Sequence, residues 1–208
     1  MNLAVLISGG GSNLQAFIDA IARGELDANI SLVLSNRAEA YGLQRARQAN
    51  IDTRCIDHRA YDNRENFDRA MLDALRAYPL DLVLLAGFMR ILSPLFVRAY
   101  LGRLMNIHPS LLPKYPGLHT HQRALEAADR EAGASVHFVT EELDGGPVIV
   151  QARTPILETD NADTLAARVL EQEHRIYPLA VRWFCEGRLR LEGGSALLDG
   201  KPIRLSAG

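Results

Sequence analysis

The chain reads as an α/β protein: an open, mostly parallel twisted sheet with helices on both faces, Rossmann-like in arrangement, its later strands open to antiparallel pairing. Three observations predict this. Short apolar runs at 3–7, 30–34, 53–56, 82–86 and 103–107 alternate with stretches of helical spacing, the rhythm of a sheet whose strands are buried on both faces. Three glycines, Gly9 to Gly11, follow the first run at once, where such a sheet turns into a helix and can hold an anion. Polar residues, glycine and proline punctuate the ends of the later runs, at 87–92 and 106–113, and in open parallel sheets ligands bind outside those ends.

Each element can be justified in order. Residues 3–7 are continuously apolar and make a first core strand. Gly9-Gly10-Gly11-Ser12-Asn13 turns into a helix over 14–21, with Leu14, Phe17, Ile18 and Ile21 on one face. Ser12 followed three residues later by Gln15 is a capping-box pattern, so the helix is expected to start there. Its first-turn N–H groups, reached through a flexible turn, suit a phosphate. The turn is not a P-loop, because no Gly-Lys-Ser/Thr follows. Nor does it fit a dinucleotide fingerprint, since Leu14 stands where a third glycine belongs and the next strand ends in Ser35-Asn36-Arg37 without an acid. The run 30–34 is a second strand, 40–49 a helix, 53–56 a short third strand and 64–78 a helix that stops before Pro79. The run 82–86 is the fourth strand. Ser93-Pro94 opens a helix with an N-cap and a proline at its first position. The fifth strand, 103–107, leads into Asn106-Ile107-His108-Pro109, where proline ends the pairing. Beyond a loop at 114–121, the sequence predicts a helix at 122–129, strands at 135–139 and 148–151, a long helix at 164–186, and a tail of short strands.

At 208 residues and 48% hydrophobic side chains, the chain suffices for one substantial core. We expect a single domain over 1–208, with a nucleotide- or phosphate-binding half at about 1–100, a catalytic half at 101–186 and a tail at 187–208. Lys plus Arg number 23 and Asp plus Glu 25, a formal charge of -2. That excludes a nucleic-acid binder held by its overall field, and leaves small-molecule substrates with a local phosphate pocket. Cys55 and Cys185 lie far apart and form no CxxC pattern, which suits a reducing, cytoplasmic setting. The amino terminus has no positive leader region, and no apolar run approaches the roughly 18 residues of a membrane span. The oligomeric state, monomer or homodimer, is left open.

The chemistry centres on Asn106 and His108. Two residues apart on a strand, they point the same way, so a carbonyl-polarising amide and a titratable imidazole face one place. Asp144, in Leu143-Asp144-Gly145-Gly146-Pro147, is the acid that could join them. A carboxylate paired with an imidazole fixes its orientation and favours the charged ring. Such a histidine serves as general acid and base, worth about 10² to 10⁴ in rate. An amide donor at developing negative charge adds about 10² to 10³. His119 and His121 could in principle ligate a metal with His108 or His137, but no carboxylate-rich or Glu-x-x-His pattern accompanies them; we expect no metal. His58 and His174 read as structural.

Taken together, four stretches resemble the folate-dependent phosphoribosylglycinamide formyltransferase family over about residues 1–186. They are Val5-Leu6-Ile7-Ser8-Gly9 with Gly11-Ser12-Asn13-Leu14; Leu85-Ala86-Gly87-Phe88-Met89-Arg90-Ile91-Leu92-Ser93-Pro94; Asn106-Ile107-His108-Pro109-Ser110-Leu111-Leu112-Pro113; and Leu143-Asp144-Gly145-Gly146-Pro147. The resemblance implies an enzyme of purine biosynthesis that moves the formyl group of the co-substrate 10-formyltetrahydrofolate to the amine of 5'-phosphoribosylglycinamide. It implies that Asn106 polarises the formyl carbonyl, that His108 moves protons and that Asp144 orients His108. It further implies that Gly11, Ser12 and Asn13 hold the substrate phosphate and that Glu173 contacts the rest of the nucleotide. Arg64, Met89, Arg90, Ile91, Leu92, Asn106 and Thr140, with backbone toward Asp144, would form the folate site. Position 10 is Gly where relatives often carry a longer side chain, and the tail matches nothing recognised. The alternative is formyltetrahydrofolate deformylase, a hydrolase with an added regulatory domain in front; methionyl-tRNA formyltransferase carries an RNA-binding extension. Neither extension fits in 208 residues. A non-catalytic Rossmann-like nucleotide-binding module or an oxidoreductase would leave the Asn106 and His108 pair unexplained.

Overall fold

The structure is a computed structural model that describes residues 1–205. The chain forms two compact units, Met1–Asn106 and the part from Ile107 onward, and the fold is α/β with a mostly parallel sheet whose later strands are antiparallel.

The first unit holds β1 (Asn2–Ile7), α1 (Ser12–Ala22), β2 (Asn29–Ser35), α2 (Tyr41–Gln48), β3 (Thr53–Cys55), α3 (Arg64–Arg76), β4 (Leu82–Leu85) and α4 (Pro94–Ala99). It also holds the first part of β5 (Leu104–His108). Its strands run parallel in the order β3-β2-β1-β4-β5. The chain leaves β1 in one direction for β2 and β3, then in the other for β4 and β5. Right-handed crossovers therefore put α1 and α2 on one face and α3 and α4 on the other. The switch falls between β1 and β4, and in open sheets of this kind ligands bind outside the carboxyl ends at such a switch; Ser8 to Asn13 follow β1 and Gly87 to Leu92 follow β4. The residues from Leu3 to Ile7 are wholly excluded from solvent, and each such side chain is worth about 1.5–3 kcal/mol of burial before entropy is counted.

The second unit pairs β6 (Glu131–Phe138) with β7 (Val148–Pro155) in an antiparallel ribbon. The long α6 (Ala162–Cys185) packs across both strands, and α5 (Thr120–Glu126) lies against α6 and β6. Asn161 caps α6 in a capping box with Thr164. A small antiparallel sheet follows, β8 (Leu189–Glu192), β9 (Ser195–Leu198) and β10 (Lys201–Pro202).

One sequence expectation fails here. Ser12 and Gln15 form no capping box: the N-cap of α1 is Gly11, in the left-handed region at φ 70, and it has no side-chain cap bond. Gln15 is engaged elsewhere, accepting from Arg45 at 3.1 Å and donating to Asp19 at 2.8 Å. Arg45 in turn donates to the Gly10 carbonyl at 2.8 Å, so the turn is held from α2 as well as by the Gln15 N–H of its own helix, which donates to the Gly11 carbonyl at 2.9 Å.

Candidate active site

In the second unit, β5 ends at His108 and Pro109 stops the ladder. The His108 side chain is 7% exposed and that of Asp144 9%. Asp144 sits in the left-handed region at φ 51, a conformation that aspartate tolerates better than most residues. Oδ2 of Asp144 lies 3.5 Å from Nδ1 of His108, an ion-pair distance and longer than a hydrogen bond. The same oxygen accepts from the Gly117 backbone at 2.8 Å. His108 Nε2 stands 2.8 Å from the Tyr115 carbonyl. A carbonyl only accepts, so Nε2 carries a proton in this state and Nδ1 is the nitrogen presented to Asp144. Lys114 and Tyr115 are tied down by Asp129, which accepts from Lys114 Nζ at 2.9 Å and from the Tyr115 hydroxyl at 2.8 Å.

The structure thus brings His108 and Asp144 together as the sequence predicted. Asn106 lies on β5, two residues before His108, and is half-buried, with Leu85 of β4 as its register partner. Glu173 is buried on α6, and Thr140 is half-buried just beyond β6. Two further histidines stand close to the pair. His137 Nε2 lies 3.7 Å from Oδ1 of Asp144. His121, on α5, is held below the ordinary imidazole pKa by burial and then by His108. His119 is exposed, and no group of three or more His, Cys, Asp or Glu that could hold a metal occurs among the described residues.

In the first unit, the phosphate-type turn is built on a crossing of two glycines. A Cβ on Gly11 would lie 2.6 Å from the Cα of Gly42, and one on Gly42 would lie 2.4 Å from Ile7 Cδ1. Gly42 N also donates to the Gly9 carbonyl at 3.0 Å. A Cβ on Gly10, in contrast, meets nothing within 4 Å, so that position has room for a side chain. Ser12 is half-buried and Asn13 buried at the start of α1, whose first turn holds no acid.

Met89, Arg90 and Ile91 are exposed in the loop after β4, with Leu92 half-buried. Two residues that sequence reasoning missed hold this loop. Ser8 Oγ accepts from Met89 N at 2.7 Å and donates to Asn36 Oδ1 at 2.6 Å. Asp68, fully buried on α3, accepts from Ser93 N at 2.5 Å. Burial pushes its carboxyl above the usual range, against the Ser93 bonds and the nearby Arg64 and Arg90. Asp68 had a signal, as an acid inside the Phe67, Met71, Leu72, Leu75 stripe; Ser8 had none.

A buried histidine with a carboxylate 3.5 Å from its ring stands at the end of the fifth strand of a Rossmann-like sheet, an arrangement suited to acid–base chemistry. The profile of the formyl transferase family matches residues 1–181, and the chain belongs to that family. It is 57% identical to "Phosphoribosylglycinamide formyltransferase" of Escherichia coli (strain K12), over 98% of this chain and 96% of that protein. It is 51% identical to the protein of that name from Haemophilus influenzae, over 97% of this chain and 95% of the other. Among solved structures, the phosphoribosylglycinamide formyltransferase of Coxiella burnetii superposes with a TM-score of 0.94 at 50% identity, covering 98% of this chain and 96% of that one.

Proposed function

We propose that the chain transfers the formyl group of 10-formyltetrahydrofolate to the amine of 5'-phosphoribosylglycinamide, giving N-formylglycinamide ribonucleotide and tetrahydrofolate in purine biosynthesis. The observation that carries this reading is the buried His108 with Asp144 against its Nδ1, two residues after Asn106. The amine attacks the formyl carbon, the new C–N bond forms, and negative charge gathers on the formyl oxygen, where the Asn106 amide donates. In the working tautomer Nδ1–H of His108 points to Asp144 and Nε2, released from the Tyr115 carbonyl, takes the proton given up by the amine and returns it to N10 of the folate as that C–N bond breaks. Asp144 holds the His108 ring in register for both transfers.

In this reading Gly11, Ser12 and Asn13 bind the phosphate through the open first turn of α1, and Glu173 contacts the nucleotide. Arg64, Met89, Arg90, Ile91, Leu92 and Thr140 serve the folate. The chain acts as one catalytic domain, in the cytoplasm, without a metal. Purified protein tests the roles. Asn106→Ala, His108→Ala and Asp144→Ala should each lower kcat for formyl transfer by at least about 10²-fold. An Asp144→Ala enzyme with unchanged kcat and pH profile would remove that residue from the mechanism.

A further inference from the structure

Three neighbouring strands of the parallel sheet, β2, β1 and β4, are tied together beyond the point where their ladders stop. The β1–β2 pairing ends at Ile7 and Ser35, and the β1–β4 pairing at Leu6 and Leu85. Ser8 carries the tie onward in both directions. Its backbone N donates to the Gly87 carbonyl at 3.1 Å. Its hydroxyl donates to Asn36 Oδ1 at 2.6 Å, and with the proton committed there its lone pairs accept from Met89 N at 2.7 Å. Ser8 and Asn36 are both buried, where polar groups are kept hydrogen-bonded.

An apolar side chain at position 8 would simply extend the Leu3 to Ile7 run; a hydroxyl in that buried place costs desolvation unless it has bonds to make. Asn36 Nδ2 stands 3.2 Å from His58 Nδ1, which sets the amide with Oδ1 toward Ser8. The hydroxyl is thereby oriented, its proton toward the end of β2 and its acceptor side toward Met89. Farther along the same loop, Asp68 Oδ2 accepts from Ser93 N at 2.5 Å. The stretch 89–93 is therefore pinned at both ends by buried side chains. Met89 and Ile91 on it are 61% and 55% exposed, so this held segment offers large apolar side chains outward.

We infer that Ser8 is a positioning residue of the transfer reaction: through Met89 N it holds the 89–92 loop in the conformation that receives the folate. This rests on the formyl-transfer reading above, which gives that loop to the folate. No covalent step is involved. The contribution is pre-organisation, since a loop already held in its bound conformation loses less freedom when the ligand arrives. Without the hydroxyl, Met89 N has no acceptor and the loop is loose at one end, although the backbone bond from residue 8 to Gly87 remains. The phosphate-type turn has anchors of its own: Gly42 N on the Gly9 carbonyl, Arg45 on the Gly10 carbonyl and Gln15 N on the Gly11 carbonyl. The effect of Ser8 therefore falls on the formyl donor more than on the nucleotide.

Two kinds of measurement test this, the first independent of any reaction. In hydrogen exchange of ligand-free protein followed by NMR, the Met89 amide of Ser8→Ala should exchange at least about tenfold faster than in the unmodified protein. The Ala86 amide, which donates to the Leu6 carbonyl at 2.9 Å, should keep its protection. An unmoved Met89 amide overturns the anchor whatever the protein transfers. In calorimetry with tetrahydrofolate as the probe, Ser8→Ala should raise Kd about three- to tenfold, the contribution of one buried hydrogen bond. In the transfer assay, KM for 10-formyltetrahydrofolate should rise by more than kcat falls and by more than KM for 5'-phosphoribosylglycinamide rises. Donor binding of unmodified strength, or a loss shared equally by the two substrates, overturns the inference. Asn36→Ala, which takes away the acceptor that orients the hydroxyl, should move the Met89 amide and the tetrahydrofolate Kd in the same direction, and serves if Ser8→Ala fails to fold. An unmodified protein that binds no tetrahydrofolate would instead remove the formyl-transfer reading, and the inference with it.

Discussion

Gly146→Ala tests the geometry of the catalytic turn without touching a catalytic group. A Cβ at that position would lie 1.8 Å from the Phe138 carbonyl oxygen and 2.9 Å from its carbon, both backbone atoms in a paired strand. The turn must therefore retreat by about 1.2 Å merely to reach the 3.0 Å below which real Cβ contacts essentially never fall. Asp144 is two residues away and already 3.5 Å from His108 Nδ1, so the retreat opens the pair beyond useful range. A displacement of about 1 Å in a positioned catalytic group costs on the order of 10²-fold in rate. Overpacking of a filled site costs about 1–3 kcal/mol of stability. The assay is kcat for formyl transfer beside a urea unfolding curve. We expect kcat to fall about 10²-fold while most of the protein remains folded. A Gly146→Ala enzyme with unmodified kcat and unmodified unfolding would refute the claim that this close approach sets the Asp144 position.

Two further predictions concern stability. Burial holds the Asp68 carboxyl above its ordinary value of 3.8, so the folded chain binds that proton more tightly than the unfolded chain. The stability of the unmodified protein relative to Asp68→Asn should therefore decline as pH rises from below 4 toward 7, read from urea midpoints of the two proteins. A difference that does not change with pH would contradict the buried-acid account. Asn161→Ala removes the side-chain acceptor for the Asp163 and Thr164 backbone at the start of α6. It should cost about 1 kcal/mol, or a fall of about 2–4 °C in Tm; a Tm within error of the unmodified protein would show that the cap is dispensable.

The parallel part of the fold was legible because its strands are continuous apolar runs and because glycine, proline and polar residues mark their ends. The candidate pair is legible for a related reason: Asn106 and His108 both lie on β5, two residues apart, and strand alternation, which a sequence carries, gives residues at that spacing a common direction. What escaped depends on distant partners. The sixth and seventh strands, expected at 135–139 and 148–151, extend over Glu131–Phe138 and Val148–Pro155. Ala132, Gly133 and Ala134 do not look like strand residues. A Cβ on Gly133 would lie 2.0 Å from the Ala152 carbonyl oxygen, so here the close backbone approach selects glycine over strand propensity. The capping pattern at Ser12 misled because Arg45 and Asp19 occupy the Gln15 side chain, a competition invisible locally. Ser8 and Asp68 gain their roles through Met89 and Ser93, each far away in the chain.

The central claim, that His108 and Asp144 serve formyl transfer to an amine, is tested most directly by following an isotopically labelled formyl group from 10-formyltetrahydrofolate in the presence of 5'-phosphoribosylglycinamide. The account predicts that the label appears in the nucleotide product in equal amount with the tetrahydrofolate formed, and that donor consumption stops when the nucleotide is withheld. Label released as formate at the same rate with and without the nucleotide would contradict it and identify a hydrolase.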